Sequence, residues 1–298
     1  MAQVEANGIT IEAEAFGPAS GETILLVMGL GAQLTRWPLA LIERLTERGY
    51  RVIRYDNRDV GLSHKFHEAG PADIGALMAA AAAGKPLKVA YSLDAMAADG
   101  VGVLDAFEVR RAHIVGASMG GMIAQLIAAL HPERTLSLTS IMSSTGNPAL
   151  PPATPEAMAV LMTRPDPNDF EAMIAQGIKA QKTIGSPAYP ANEDELRERS
   201  IADFKRSNYP DGFGRQMAAI MACGDRRETL KRVQAPTVVL HGADDPLVPV
   251  EGGKDTAASI AGAELRIVPG MGHDLPAPLY PVVVEAIEAA AKRARAPA

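Results

Sequence analysis

The sequence predicts an α/β architecture: a mostly parallel, eight-stranded sheet with helices on both faces and a helical lid inserted late in the chain. Three observations carry this. Short apolar runs alternate with stretches of helical spacing, the pattern of a sheet whose parallel strands are joined by helical crossovers. One of those runs, Ala112 to Val115, enters the turn Gly116-Ala-Ser118-Met-Gly120, and an Ala/Met-rich helical stretch follows at once. Between residues 145 and 232 the rhythm stops: prolines at 148, 151, 152, 155, 165 and 167 separate helical pieces rich in Met, Ala and charge, with no convincing strand. The chain has 298 residues, 47% of them apolar, which suits one large core with an insert. The expected division is a core of 1–144 and 233–298, with 145–232 as the cap.

Taken in order, residues 2–16 alternate apolar and polar about Asn7-Gly8, the mark of a hairpin with a primed turn. Thr23 to Val27 reads as a buried strand. Pro38 to Arg48 has helical spacing, with Leu41, Ile42 and Leu45 on one face and Gly49 as its stop. Arg51 to Tyr55 is the next strand. Segment 64–91 is loose, with a short Ala-rich helix from Ile74 to Ala83. Leu93 to Phe107 is a helix, Ala112 to Val115 a strand, Met119 to Leu130 a helix closed by His131-Pro132, and Leu136 to Met142 a strand. After the insert, Pro236 to His241 resumes the sheet, Lys254 to Ile260 is helical, Leu265 to Val268 is the last strand and Val282 to Arg295 the closing helix.

Bulk properties exclude several classes. Net charge is −6 and no basic stripe is present, so neither nucleic acid nor an anionic membrane is an expected partner. A single cysteine, Cys223, allows no internal disulfide and fits a cytoplasmic protein; it reads as a small buried apolar residue. The N-terminal residues carry no charged region or long apolar run, so no signal peptide is expected. No apolar run is long enough to cross a bilayer. No H-E-x-x-H, C-x-x-C or P-loop pattern occurs, and no metal, cofactor or nucleotide is expected.

The chemistry centres on Ser118. A serine on a tight strand-to-helix turn holds its hydroxyl clear of the backbone, and a neutral hydroxyl needs a base to become a nucleophile. Of the six histidines, His113 opens a strand, His131 ends a helix, His64 and His67 lie in the loose segment, and His241 ends a strand where a structural hydrogen bond suits it. His273 differs: it sits in the Gly-rich loop Pro269-Gly-Met-Gly-His-Asp274 after the last strand, and loops beyond strand ends are where open α/β sheets hold their chemistry. The base needs a carboxylate to orient it. Asp244 and Asp245, again just after a strand, compete for that role. An oxyanion hole would use the amide of Met119 and, from the loop Val27-Met28-Gly29-Leu30-Gly31, that of Leu30.

These motifs resemble the α/β-hydrolase superfamily over nearly the whole chain. Ile114 to Gly121 is similar to its nucleophile elbow, and Gly270 to His273 to its histidine loop. Gly242 to Pro249 resembles its G-x-x-D-x-x-x-P acid loop, which implies Asp245 rather than Asp244. Asp56 to Ser63 resembles the D-x-R-x-x-G-x-S segment that braces the loops around the elbow. Within the superfamily the chain is most similar to the esterase branch that includes aclacinomycin methylesterase, through Val27-Met-Gly in place of His-Gly and the turn Arg54-Tyr-Asp-Asn-Arg58-Asp59. Met28 departs from a histidine common elsewhere that braces the loop and does no chemistry. Segment 64–91 and the lid do not visibly match that branch. A serine nucleophile argues against haloalkane dehalogenases and epoxide hydrolases, which attack with a carboxylate.

The resemblance implies a cytoplasmic serine esterase acting on a small or medium apolar ester through Ser118, His273 and Asp245. Its expected partners are that small-molecule ester and water, and a homodimer is compatible with the sequence. Met28, Met142, Met158, Met162, Met217 and Met221, with Met173, are the expected lining of an adaptable apolar pocket. Three alternatives use the same features: a carbon–carbon bond hydrolase of dienone acids, a cofactor-free perhydrolase or haloperoxidase, and a non-enzymatic ligand receptor.

Overall fold

A computed structural model describes residues 2–295. Eight strands form one sheet: β1 (Ala2–Ala6), β2 (Ile9–Phe16), β3 (Thr23–Val27), β4 (Arg51–Tyr55), β5 (Ala112–Ala117), β6 (Thr135–Ile141), β7 (Thr237–Gly242) and β8 (Glu264–Val268), in the order β1-β2-β4-β3-β5-β6-β7-β8. The first two strands pair antiparallel across Asn7 and Gly8, both at positive φ, as a primed turn requires. β2 runs antiparallel to β4, and every later pair is parallel.

Strands β3, β5 and β7 are buried along their whole length, which is why they read as apolar runs rather than alternating ones. One face packs against α3 (Leu93–Ala106) and α4 (Met119–Leu130), through Met96, Val103, Ile123 and Ile127. The other packs against α1 (Leu39–Thr46) and α11 (Tyr280–Arg295), through Leu41, Leu45, Val283 and Ile287. The short α2 (Ile74–Ala82) lies within the loose segment and buries only Leu77.

Several boundaries differ from the sequence reading. Strand β6 ends at Ile141, because Met142 turns to φ 41°. Helix α10 (Val250–Ser259) starts four residues earlier than Lys254, with Pro249 at its N-cap, a place where an extended residue with no amide proton costs nothing. Between β6 and β7 the chain carries five helices and no strand: α5 (Pro155–Met162), α6 (Phe170–Ile184), α7 (Glu193–Arg206), α8 (Pro210–Cys223) and α9 (Arg227–Leu230). Side-chain oxygens of Thr154, Asp169 and Asn192 cap the first three.

The topology fixes where a site can form. β3 and β5 are neighbours, and the connection after β3 leads to β4 on one side while that after β5 leads to β6 on the other. The loops after β3 and β5 diverge there and leave a crevice at the carboxyl ends of the strands. Those loops are the ones that hold Leu30 and Ser118.

Candidate active site

Ser118 sits between β5 and α4 at φ 57°, ψ −124°, a conformation that costs a non-glycine residue about 1–3 kcal/mol. Its amide donates to Ile141 O at 2.9 Å, while Gly121 and Met122 amides return to its carbonyl. Two glycines make the bend feasible. A Cβ at Gly116 would lie 2.0 Å from Gly120 O, and one at Gly120 would lie 2.1 Å from Val27 O. Strand, turn and helix therefore touch through backbone alone.

Two loops from distant parts of the chain converge on the hydroxyl. His273 Nε2 lies 2.9 Å from Ser118 Oγ, and His273 Nδ1 lies 2.7 Å from Asp245 Oδ2. A carboxylate only accepts, so Nδ1 carries the proton and Nε2 presents its lone pair to the serine. The Asp245 side chain is buried, and its other oxygen accepts the amides of Leu247 and Val248 at 2.9 and 2.8 Å. Asp244 is exposed and turns away from the imidazole; its carboxylate accepts the Gly270 amide at 2.8 Å and ties the acid loop to the histidine loop.

The remaining histidines make no hydrogen bond to these three residues, although His241 Nε2 stands 3.7 Å from Asp245 Oδ2. His113 is buried between Ser137 Oγ and Glu22, and burial pushes its pKa down. His241 is buried, donates to Val248 O at 2.8 Å, and is likewise lowered by burial. His64 and His67 are exposed, and His67 contacts Tyr209.

Next to Ser118 lies the loop after β3. A Cβ on Gly29 would come within 3.1 Å of Ser118 Cβ, which sets how close this loop runs. Asn57 Nδ2 donates to Met28 O at 2.8 Å, and the Gly31 amide donates to Gln216 Oε1 at 2.8 Å. Among the described residues, the amides of Leu30 and Met119 donate to no protein group. Amides left free beside a nucleophile can receive negative charge developing on a carbonyl oxygen.

The segment Asp56–Ser63 braces this arrangement. Asp56 accepts the Leu34 and Leu62 amides at 2.7 and 2.8 Å and pairs with Arg206 of α7 at 2.7 Å. Arg58 grips Asp99 through two bonds of 2.6 Å. Asp59 takes two bonds from Arg215 of α8, at 2.8 and 2.9 Å, and one from Tyr91. The histidine loop is also tied to the inserted helices. The His273 amide donates to Ile184 O at 2.7 Å, Gly272 to Ser186 Oγ at 2.9 Å, and Asp274 accepts the Ser186 amide and hydroxyl.

A cavity of about 850 Å³ opens onto Ser118 and His273, between the strand ends and helices α5 to α8. Met28, Met142, Met158, Met173 and Met217 line it, with Met122 and Phe213 in addition. Two expected lining residues do not. Met162 is the last residue of α5 and is exposed, and Val160 and Leu161 face the cavity instead. On α8 the cavity-facing arc runs through Phe213, Met217 and Ile220; Met221 falls off its edge. The cavity also presents Arg164 and Arg199, which form no ion pair among the described residues. Arg164 stacks 3.5 Å above Phe213, and Arg199 donates to Gln181.

Sequence reasoning missed Gln216, Ser186, Arg206 and Arg215. Each acts through a partner far away in the chain, and such contacts leave no spacing signal. No group of three or more His, Cys, Asp or Glu that could hold a metal is present among the described residues.

A mostly parallel sheet with a strained serine after a central strand, hydrogen-bonded to a histidine that is itself bonded to an aspartate, both from later loops, is the arrangement of an α/β-type hydrolase. The family model for the alpha/beta hydrolase fold matches residues 22–276, and the chain belongs to that family. It is similar to a rhodomycin D methylesterase of Streptomyces sp. (27% identity, 94% of each chain), in line with the expected methylesterase branch. It is also similar to a 2-hydroxy-6-oxononadienedioate/2-hydroxy-6-oxononatrienedioate hydrolase of Cupriavidus pinatubonensis (27% identity, 86% of this chain, 81% of that one). Its fold matches an enol-lactonase of Burkholderia xenovorans with a TM-score of 0.73 at 20% identity, over 98% of this chain and all of that one.

Proposed function

We propose that this hydrolase cleaves carboxylic esters through an acyl-enzyme. Ser118 Oγ attacks the ester carbonyl while His273 Nε2 takes its proton. Asp245 holds the imidazole in the required tautomer and stabilises the imidazolium. The Leu30 and Met119 amides stabilise the oxyanion. His273 then returns the proton to the leaving alcohol, and a water activated by the same imidazole releases the acid. Residues 145–232 act as a lid over a core of 1–144 and 233–298. The observation that carries this reading is the unbroken Asp245–His273–Ser118 chain of hydrogen bonds, 2.7 and 2.9 Å, at the mouth of the cavity.

The substrate class follows from size and lining. A cavity of about 850 Å³, lined with Met, Val, Leu and Phe, takes a medium to bulky apolar acid. The relative named as a methylesterase favours a small alcohol on that acid. A single cysteine is consistent with a cytoplasmic site of action.

A second reading, cleavage of a carbon–carbon bond in a dienone acid, draws on the relative named for a dienedioate. It also draws on Arg164 and Arg199, cavity guanidinium groups with no ion-pair partner among the described residues, a chemistry that suits substrate carboxylates. The test measures kcat/KM on methyl and p-nitrophenyl esters beside a dienone acid, for the native chain and Ser118→Ala. Esters should turn over faster than the dienone. Ser118→Ala should fold and lose about 10⁴-fold or more in activity, and a serine-directed phosphonate should label the native chain once and the variant not at all. Near-native turnover by Ser118→Ala would overturn the mechanism; a faster dienone would move the chemistry to the second reading.

A further inference from the structure

We infer that Gln216, on lid helix α8, is a positioning residue for the oxyanion loop, so that the lid sets the geometry of the catalytic site as well as covering it. This rests on the hydrolase reading above, and in particular on the Leu30 amide as an oxyanion donor.

The side chain is fully buried at 0% exposure, and both ends of its amide are used. Oε1 accepts the Gly31 amide at 2.8 Å, and Nε2 donates to Arg58 O at 2.8 Å. The orientation is unique, since an N–H needs the oxygen and a carbonyl needs the NH₂ group. Gly31 directly follows Leu30 and stands at φ 65°. Fixing the Gly31 N–H therefore fixes the peptide next to the donor.

The loop's other ties do not replace this one. Asn57 holds Met28 O from the strand side, and Ala32 N returns to Gly29 O at 3.2 Å within the loop. Gln33, two residues further on, is bound by helix α7 through Asp203 O, Ser207 O and Arg206, but Gln216 alone among the described residues hydrogen-bonds Gly31 itself, the residue next to Leu30, with Phe213 packed against the same glycine. Helix α8 is itself held at a defined depth by Arg215 on Asp59. The chain of causation runs from Asp59 to Arg215, along the helix backbone to Gln216, and through Gly31 to Leu30. Displacing a group by about 1 Å at a reacting centre costs on the order of 10²-fold in rate, and an oxyanion donor is worth about 10² to 10³ in kcat.

The experiment uses Gln216→Met, which keeps the volume and removes both bonds. Gln216→Met should lose about 10- to 100-fold in kcat on p-nitrophenyl butyrate, with KM within about threefold. A trifluoromethyl ketone, whose adduct carries the oxyanion, should bind more weakly by the same factor. Should Gln216→Met not fold, Gln216→Ala carries the same expectations. Native kcat and native ketone affinity in a folded Met or Ala variant would overturn the inference. Phosphonate titration of Ser118 in the same preparations separates the two ideas. Full labelling keeps the hydrolase reading whatever Gln216 does, and no labelling of the native chain removes both.

Discussion

Asp244 and Asp245 both engage the histidine loop, one through its backbone and one through its imidazole. From residue types alone the two carboxylates were equivalent, since each follows a strand and precedes Pro246; only the loop's resemblance to a known spacing separated them. The difference is geometric: burial of Asp245 aims Oδ2 at His273 Nδ1, while Asp244 faces solvent and accepts Gly270 N. Asp245→Asn should therefore leave the protein folded and cost orders of magnitude in kcat, about 10⁴-fold in the comparable well-studied triad, because the imidazole adopts the wrong tautomer. Asp244→Asn removes one charge-assisted bond at the surface and should cost no more than about 1–3 kcal/mol of stability, with kcat near native. Steady-state kinetics and thermal unfolding on the two variants check this. If Asp244→Asn abolishes turnover while Asp245→Asn does not, the acid lies one residue earlier.

At the scale of elements, the sequence marked the helical character of the insert and the bracing segment Asp56–Ser63, but not that each grips the other. An ion pair between Asp59 and Arg215 spans most of the chain, and neither residue's neighbours hint at the other. The buried Asp59–Arg215 and Asp56–Arg206 pairs tie the inserted helices to the core. Burial alone would raise the Asp59 carboxyl, but Arg215, the Phe66 amide and Tyr91 outweigh it and hold its pKa below the usual carboxylate value. A depressed carboxylate stabilises the fold above its unfolded pKa, and that stability is lost as pH falls through the folded value. Asp59 stands at φ 67°, a conformation asparagine tolerates, so Asp59→Asn tests charge rather than backbone. It leaves Arg215 buried without its partner and should cost about 3–5 kcal/mol at neutral pH. Urea unfolding should give a constant gap between native and variant from pH 7 to about 5, narrowing below about 4 as the native carboxyl protonates. A gap that widens toward acid, or an equally stable variant at pH 7, would contradict the assignment.

For the molecule as a whole, strand alternation made the sheet legible, and the reversal of crossover direction between β3 and β5 explains why chemistry gathers there. The interior of the lid was less legible. Methionines at helical spacing mark an apolar face, yet a single sequence does not say whether that face turns to the cavity, to a neighbouring helix or to solvent. Met158 and Met217 reach the cavity; Met162 and Met221 do not, although all four share composition and context. That division supplies its own control. Met217→Trp should crowd the cavity and shift preference toward short acyl chains, and Met217→Ala should shift it toward longer ones. Each methylene gained or lost in discrimination is worth roughly 1–3 kcal/mol. The same substitutions at Met162 should leave the profile where it was. The measurement is kcat/KM across p-nitrophenyl esters of rising chain length, with unfolding midpoints to exclude general destabilisation. A profile that moves with Met162 and stays fixed with Met217 would mean that the acyl group does not occupy this cavity. Substrate selection would then be sought in segment 64–91, whose helix α2 packs against α8.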